Sequence, residues 1–541
     1  MRENIKKYYF LIVMIFISYY ITIIPKYNAT DWDLWARLAV GKIFFQTGHV
    51  LLKDIFAYTA VKSIWIDHEW GAGVIFYGLV HLFGDFGLLL LKCSILFFIF
   101  IFVFETNQLR QNNTDRYRLS YYFLFFFSIL PTFDNTIRCQ CFTYFFFALW
   151  IYLLDLVKSG KTTLIWIFPI TMLLWSNIHG GFPAGIGIVL VYTIGEAINA
   201  FINNSFQIKN FFKYFFILIS SILVTLINPY GIKYWYYIAG AATMPRPFIA
   251  EWSPLNLFGS IHQVTGFKIL LILAILSGIY FIYNSISQGI SEIKIKNDLK
   301  SVNWTVILVL LTTFYMSMEH IRHTMFFVIA SASYLYYYAY PALDWITYGM
   351  VGKIYAMFSP KARSIGKISR DIMIYTVLVI YGMLVILVVP RYVFIDDVSL
   401  PTNAVKFIQM NKISGNLLVL FNWGSYALWK LYPQDKIAVD GRYEEVYKDS
   451  FIDEVARFHY VGVNWDDLLT KYHTDAMLIP LDYKDLFNRV CKLKDWTIIY
   501  QDKTAAVFFP KAKNKLHWIK IPKNFNPAKD KFQSSININN I

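Results

Sequence analysis

Between residues 27 and 48 the chain reads YNATDWDLWARLAVGKIFFQTG, with Asp31 and Asp33 two positions apart just after an apolar segment. In an extended backbone, residues i and i+2 project to the same side. A carboxylate pair so placed can bind a divalent cation, or hold a reacting hydroxyl while one carboxylate takes its proton. The competing use is capping, because Asp is favoured at the N-cap and in the first turn of a helix. Capping accounts for one of the two.

Other residues able to do chemistry lie far along the chain. They are His68 and Glu69 in DHEW (67–70), Arg138 and Gln140 in NTIRCQ (135–140), His179 in SNIHGG (176–181), Glu251 in EW (251–252), and His320, Arg322 and His323 in MEHIRH (318–323). His68 and Glu69 alone are too few ligands for a metal site. Gly180 and Gly181 permit close backbone approach beside His179, although a histidine at a turn also finds local partners. Arg138 and Arg322 stand at the ends of apolar runs, where an ionisable group is costly and marks a functional site or a wet cavity. Their guanidinium forks match phosphate oxygens. Snorkelling to the interface is the rival use, and Glu319 is a candidate structural partner.

These residues are set in a strongly apolar chain of 541 residues, 57% hydrophobic and 16% charged, with a mean hydropathy of +0.45. Soluble domains carry about 25% charged residues, so the composition points to an integral membrane protein. The net charge of +15 fits Lys and Arg gathered in cytoplasmic loops. No basic run is joined to a nucleic-acid-binding motif, so nucleic acid is not an expected partner. Cys93, Cys139, Cys141 and Cys491 offer neither a second pair for zinc nor a disulfide framework, and read as packing residues. The N-terminal MRENIKKYYFLIVMIFISYYITIIP has the basic flank of a signal peptide but too long an apolar run. It reads as an uncleaved first helix.

Apolar stretches long enough to cross a bilayer fall at 8–25, 86–104, 118–132, 138–157, 162–177, 181–202, 213–228, 266–284, 303–318, 322–341 and 371–390. That gives about eleven spans. HEWGAGVIFYGLVHLF at 68–83 is ambiguous, and charge decides it. With this segment kept outside as an interfacial helix, the loops holding Arg110, Arg116 and Arg118, Lys158 and Lys161, Lys209 and Lys213, Lys294, Lys296 and Lys300, and Lys353 to Arg370 all face the cytoplasm. So does the N-terminus with Arg2, Lys6 and Lys7, as the positive-inside rule requires. The polar motifs then converge on the outer side, with NPYG (228–231) among them.

Composition changes after Pro390. NLLVLF, KIAVD, AMLIP and AAVFF alternate with helical patterns such as NAVKFIQMNK and KDLFNRVCKL, which predicts a small α/β domain. The expected architecture is therefore an α-helical polytopic membrane body over 1–390, with a first outer loop of about 26–85, an extracytoplasmic α/β domain over 391–510, and a basic tail over 511–541 expected to be disordered. The helix opening with Leu34, Trp35 and Leu38 is expected to lie at the membrane interface. Acidic groups to activate a hydroxyl, cations to hold a phosphate, and an interfacial shelf suit one chemistry. It is transfer of a group from a lipid phosphate to an acceptor outside the cytoplasm, where no nucleotide donor is at hand.

This order of elements resembles the GT-C glycosyltransferase superfamily, whose members use polyprenyl-phosphate sugars. More closely, the chain is similar to a broad group of bacterial membrane proteins with a DPDxWWHLAxG opening followed by HEW, RPQ, NxHGG and NPYG. Here these read DWDLWARLAVG (31–41), HEW (68–70), RCQ (138–140), NIHGG (177–181) and NPYG (228–231). NWGSYALW (422–429) and DGRYEEVY (440–447) also match that group's outer domain. Trp32, Arg37 and Cys139 replace the motif's proline, histidine and proline. Arg37 can neither ligate a metal nor shuttle a proton as a histidine would.

The resemblance implies a GT-C-like fold in the inner (plasma) membrane and an early acidic residue, Asp31 or Asp33, as base. It implies inverting transfer of a sugar from a polyprenyl-phosphate donor to a glycan, lipid or protein acceptor. His68, Glu69, Arg138, Gln140, His179, Glu251, His320, Arg322 and His323 are the expected substrate-binding set, with a possible divalent cation at Asp31 and Asp33. A lipid-linked glycan transporter or scaffold, and a polysaccharide polymerase or ligase using a lipid diphosphate, are the competing classes. The span centres carry almost no polar residues, against a transport path. In the outer domain Asp440, Arg442, Glu444 and Glu445 are able to contact a glycan or to end a strand. Trp423, Tyr426 and Trp429, at helical spacing, suit core packing better than sugar stacking.

Overall fold

The computed structural model describes residues 29–109, 128–129, 132–133, 136–205, 208–246, 249–259, 264–287, 297, 300–335, 338–339, 392–395, 399–515 and 517–537. The expected spans at 8–25 and 371–390, and most of 118–132, lie outside these residues. A two-residue strand, β1 (Ala29–Thr30), leads into helix α1 (Leu34–Thr47). The helix stops at Gly48, whose left-handed φ of 71° lets its N–H return to the Phe44 carbonyl at 2.8 Å. Asp33 precedes α1, yet its side chain makes no capping hydrogen bond, so capping does not explain it.

α1 is apolar around most of its circumference, which is the pattern of a buried helix and not of an interfacial one. Leu34 to Gly41 and Ile43 are all buried. On one side α1 packs against α2 (Trp70–Phe83) so closely that a Cβ added to Gly41 would lie 2.1 Å from the Gly73 carbonyl oxygen. On the other side Trp35 meets Tyr426 edge-on at 5.1 Å. The expectation of a surface shelf is corrected: α1 is a core helix wedged between α2 and the C-terminal domain.

Gly84 turns α2 into α3 (Asp85–Gln108). β2 (Thr136–Ile137) precedes α4 (Gln140–Lys158), followed by α5 (Ile167–Ile178), α6 (Pro183–Ile202), α7 (Ile208–Val224), α8 (Lys233–Thr243), α9 (Thr265–Ser287) and α10 (Trp304–Glu319). Among the described residues, α3, α4, α6 and α9 are long and apolar enough to cross a membrane. The chain is an integral membrane protein.

The C-terminal domain opens with α11 (Thr402–Met410) and β3 (Gly415–Val419), then α12 (Phe421–Leu431) and β4 (Asp435–Ile437). The sheet is completed by β5 (Ala476–Pro480), β6 (Trp496–Gln501) and β7 (Ala505–Pro510), in the order β4-β3-β5-β7-β6. β4, β3 and β5 run parallel, while β7 is antiparallel to both β5 and β6. α12 is the crossover that parallel β3 and β4 require. Its Trp423, Tyr426 and Trp429 are buried in the core.

The first loop is stitched to this domain, with Ala57 bridging Ile437 and Val61 bridging Tyr447. The tail is ordered over 517–537, contrary to expectation, because buried groups of α12 bond to its backbone and its Lys531 side chain pairs with Asp85 of α3. Trp429 Nε1 donates to the Lys531 carbonyl at 3.0 Å, and Lys430 Nζ donates to the carbonyls of Asp530 and Gln533. Lys531 itself is buried, pairing with Asp85 at 2.5 Å and donating to the Val393 carbonyl at 2.9 Å.

Candidate active site

β1 and β2 pair in parallel, Ala29 beside Thr136 and Thr30 beside Ile137. Asp31 follows β1 and Arg138 follows β2, so the register sets the two side by side. Arg138 Nε lies 3.2 Å from Asp31 Oδ2, Nη2 lies 3.8 Å from Asp33 Oδ2, and Nη1 lies 2.5 Å from Glu251 Oε1. One guanidinium therefore gathers three carboxylates from distant parts of the chain.

The two aspartates are held differently. Asp31 Oδ1 accepts the Asp33 N–H at 2.9 Å, and its Oδ2 accepts the Thr136 hydroxyl at 3.3 Å. Asp33 keeps 39% of its side chain accessible. Gly441 of the outer domain closes over it; a Cβ there would lie 2.0 Å from Asp33 Oδ1. Burial of its surroundings and the Asp31 charge push the Asp33 carboxyl well above the usual range, against the pull of Arg138. Asp33 is the more accessible of the two carboxylates, and its raised affinity for a proton suits a general base.

Deeper in the cleft, Arg37 sits where the motif has histidine and is almost fully buried. Its Nη1 meets Asp67 at 2.5 Å, Nε meets Glu69 at 2.8 Å and Nη2 meets Glu445 at 2.6 Å. Glu445 also accepts Trp65 Nε1 at 3.0 Å and faces His68 Nδ1 at 3.2 Å. Burial lifts Asp67 to about 6 and Glu445 to about 7, although Arg37 opposes both shifts. Burial pushes Glu69 up as well, but Arg37, His179 and His68 together hold it well below the usual range.

His179 belongs to an oriented chain. Trp175 Nε1 donates to the Thr143 hydroxyl oxygen at 2.9 Å, and Thr143 is 2.8 Å from His179 Nδ1. Nδ1 also accepts the Gly181 N–H at 2.9 Å, which leaves the proton on Nε2, facing Glu69 Oε1 at 3.2 Å. Burial lowers the affinity of His179 for a second proton, against the pull of Glu69.

The cationic wall is built around Trp252. The guanidinium carbons of Arg246 and Arg322 lie 4.0 Å and 4.6 Å from its ring centroid. Arg246 is paired with Glu444 at 2.5 Å. Among the described residues, Arg322 forms no ion pair with a carboxylate. Gln140 Nε2 donates to Tyr144 Oη at 2.6 Å and reaches the Arg322 carbonyl at 3.4 Å.

Asp31, Asp33, His68, Glu69, Arg138, Gln140, His179, Glu251 and Arg322 line one cleft of about 120 Å³ together with Arg37, Arg246, Trp252 and the loop Gly441–Glu445. His320 and His323, placed in the site by the sequence reading, are not on its wall. His320 Nδ1 is bonded to the Trp252 carbonyl at 2.7 Å, and His323 packs against Trp252 and Phe326. They support Trp252 from behind. Arg442 is structural too, bound to Asp440 and to Asp54 at 2.5 Å over the faces of Phe56 and Trp65.

Sequence reasoning missed Asp67 and Arg246 and took Arg37 only as a departure from a motif. The available signal for Arg37 was a charge set within the otherwise apolar run Leu34–Gly41, which requires buried counter-charges. The divalent cation expected at Asp31 and Asp33 does not fit the residues present, since Arg138 already spans both carboxylates and Glu251. His68, Glu69 and Glu445 bring three possible donor atoms within 4.8 Å of one another, but two of these are committed to Arg37.

No protein-family model and no curated protein matches the sequence. In three dimensions the chain is similar to the oligosaccharyltransferase of Archaeoglobus fulgidus in its apo form, at a TM-score of 0.56 and 10% identity, over 88% of this chain and 70% of that one. The likeness is one of fold. The expected helical body with a C-terminal domain holding a sheet fits that neighbour, while the number of spans is left as expected from the sequence.

Proposed function

We propose that this protein is a membrane glycosyltransferase that moves a sugar from a polyprenyl-phosphate donor to a glycan, lipid or protein acceptor. The cleft and C-terminal domain face away from the cytoplasm in the inner (plasma) membrane. The observation that carries this reading is the sharing of one cleft by Asp33, a basic open carboxylate, and Arg322, a guanidinium with no carboxylate partner among the described residues. The first suits removal of a proton and the second suits a phosphate. The likeness of fold to the oligosaccharyltransferase supports the same class.

In this mechanism Asp33 takes the proton of the acceptor hydroxyl as its oxygen bonds to the sugar C1. The C1–O bond to phosphate breaks on the opposite face, its electron pair leaves with the phosphate, and the anomeric centre inverts. Arg322, with Arg138 beside it, offsets the negative charge that grows on the leaving group. Asp31 holds Arg138 and the Asp33 backbone in place. The cleft is smaller than the 300–1,000 Å³ typical of ligand pockets, so it takes the reacting end of the donor and not its whole body.

The test is sugar transfer by the purified, reconstituted protein, offered polyprenyl-phosphate donors carrying one sugar or an oligosaccharide. Asp33→Asn is expected to lower the rate by about 10²–10⁴-fold while the protein stays folded. Full activity in both Asp31→Asn and Asp33→Asn would refute the assignment.

A further inference from the structure

The two outer-domain motifs, NWGSYALW (422–429) and DGRYEEVY (440–447), pack on each other beside the cleft. α12 comes so close to the second that a Cβ added to Gly424 would overlap the Val439 carbonyl oxygen and lie 2.7 Å from Asp440 Cβ. Trp423, Tyr426 and Trp429 are fixed in the core. Trp423 Nε1 donates to the Ser399 carbonyl at 2.7 Å, and Tyr426 meets Trp35 edge-on at 5.1 Å. These contacts set the rotation of α12 about its axis, and with it the direction of Ser425.

Ser425 is 1% exposed, and among the described residues its hydroxyl has no hydrogen-bond partner. A buried hydroxyl left unpaired costs free energy and calls for an explanation. A serine inside a helix commonly returns its hydroxyl to the carbonyl four residues back. Ser277 of α9 and Ser317 of α10 do so, at 2.7 Å from the Leu273 and Thr313 oxygens. Ser425 turns away instead. A Cβ added to Gly441 would overlap Asp33 Oδ1 and lie 3.6 Å from Ser425 Oγ. The absent side chain of Gly441 thus opens a notch that both oxygens border. The other carboxylate oxygen, Asp33 Oδ2, faces Arg138 Nη2 across 3.8 Å.

We propose that Ser425 is a positioning residue for Asp33: its hydroxyl holds Oδ1, directly or through one bridging water, and leaves Oδ2 as the atom that takes the acceptor's proton. This rests on the reading of Asp33 as the base. A serine hydroxyl suits both stages of the transfer, because it donates to the carboxylate and accepts from the acid. The outer domain therefore completes the base as well as covering it.

The test reads Asp33 without substrate. Infrared difference spectra of the full-length protein in detergent, taken against pH, give the protonated-carboxyl band of Asp33 as the one lost in Asp33→Asn. Asp31, Arg138, Arg37 and Glu69 are the charged groups acting on Asp33, and Asp440 on the facing loop is paired with Arg442. Ser425→Ala leaves all of them in place. Loss of the donor to the carboxylate is expected to raise the midpoint of the band by about one pH unit, a tenfold change in proton affinity. The melting temperature is expected to stay unchanged, since the hydroxyl bonds to no other described group. Ser425→Thr, which keeps a hydroxyl, is expected to restore the parent midpoint. Transfer from polyprenyl-phosphate donors is expected to fall about tenfold in Ser425→Ala. If that variant fails to fold, Ser425→Cys, whose thiol is a weak donor, is read in its place. A band that does not move overturns the proposal. A band that moves in a protein that transfers no sugar upholds the hydrogen bond and places the failure in the sugar-transfer reading.

Discussion

Replacing Arg37 by glutamine tests the central electrostatic feature of the site. Arg37 is buried, and its guanidinium lies 2.5, 2.8 and 2.6 Å from Asp67, Glu69 and Glu445. Each such pair attracts by about 6 kcal/mol at these distances and an effective dielectric of about 20, partly cancelled by repulsion among the three carboxylates. Removing one partner of a buried ion pair costs about 3–5 kcal/mol, a large share of the 5–15 kcal/mol that holds a typical domain together. The cost has a pH signature. Even with Arg37 present, burial lifts Asp67 to about 6 and Glu445 to about 7, and without it both rise further.

Near pH 5.5 the folded Arg37→Gln protein therefore holds protons on these groups that the unfolded chain has released. Stability falls as pH rises, by about 1.4 kcal/mol per pH unit for each proton so held. Parent and variant are expected to lie closest near pH 5.5 and to separate widely by pH 8, with the variant less stable. Thermal unfolding followed by intrinsic fluorescence in detergent at both pH values measures this. A variant as stable as its parent at pH 8, or a deficit that does not grow with pH, would show that Arg37 is not the counter-charge of these carboxylates.

Two further outcomes are expected. Gly441→Ala sets a Cβ where Asp33 Oδ1 now lies and should turn that carboxylate aside; transfer is expected to fall about tenfold or more with the unfolding midpoint unchanged, as transfer rates and melting curves would show. Removing residues 517–541 takes the carbonyl partners from Trp429 and Lys430, each orphaned buried group costing about 1–3 kcal/mol, so a lower denaturation midpoint is expected even with the sheet intact.

Composition and patterning alone determined that this is a polytopic membrane protein with an α/β domain after it. Those properties are local: apolar runs of bilayer length and a change of period survive in any stretch read by itself. The motif residues were legible as well, and most of those named from types and spacing line the cleft. Tertiary structure decided what each one does. Asp31 meets Arg138 only because β1 and β2 pair in parallel, and no local pattern encodes that register. Arg37 becomes a hub only because Glu445, from the far end of the chain, closes over it. His320 and His323 look like ligands in a string of letters, yet backbone hydrogen bonding and ring packing turn them behind Trp252. Charge at a single position is written in the sequence. Which opposite charge answers it depends on long-range packing, because a buried ion is tolerated only where the fold brings its partners within a few ångströms.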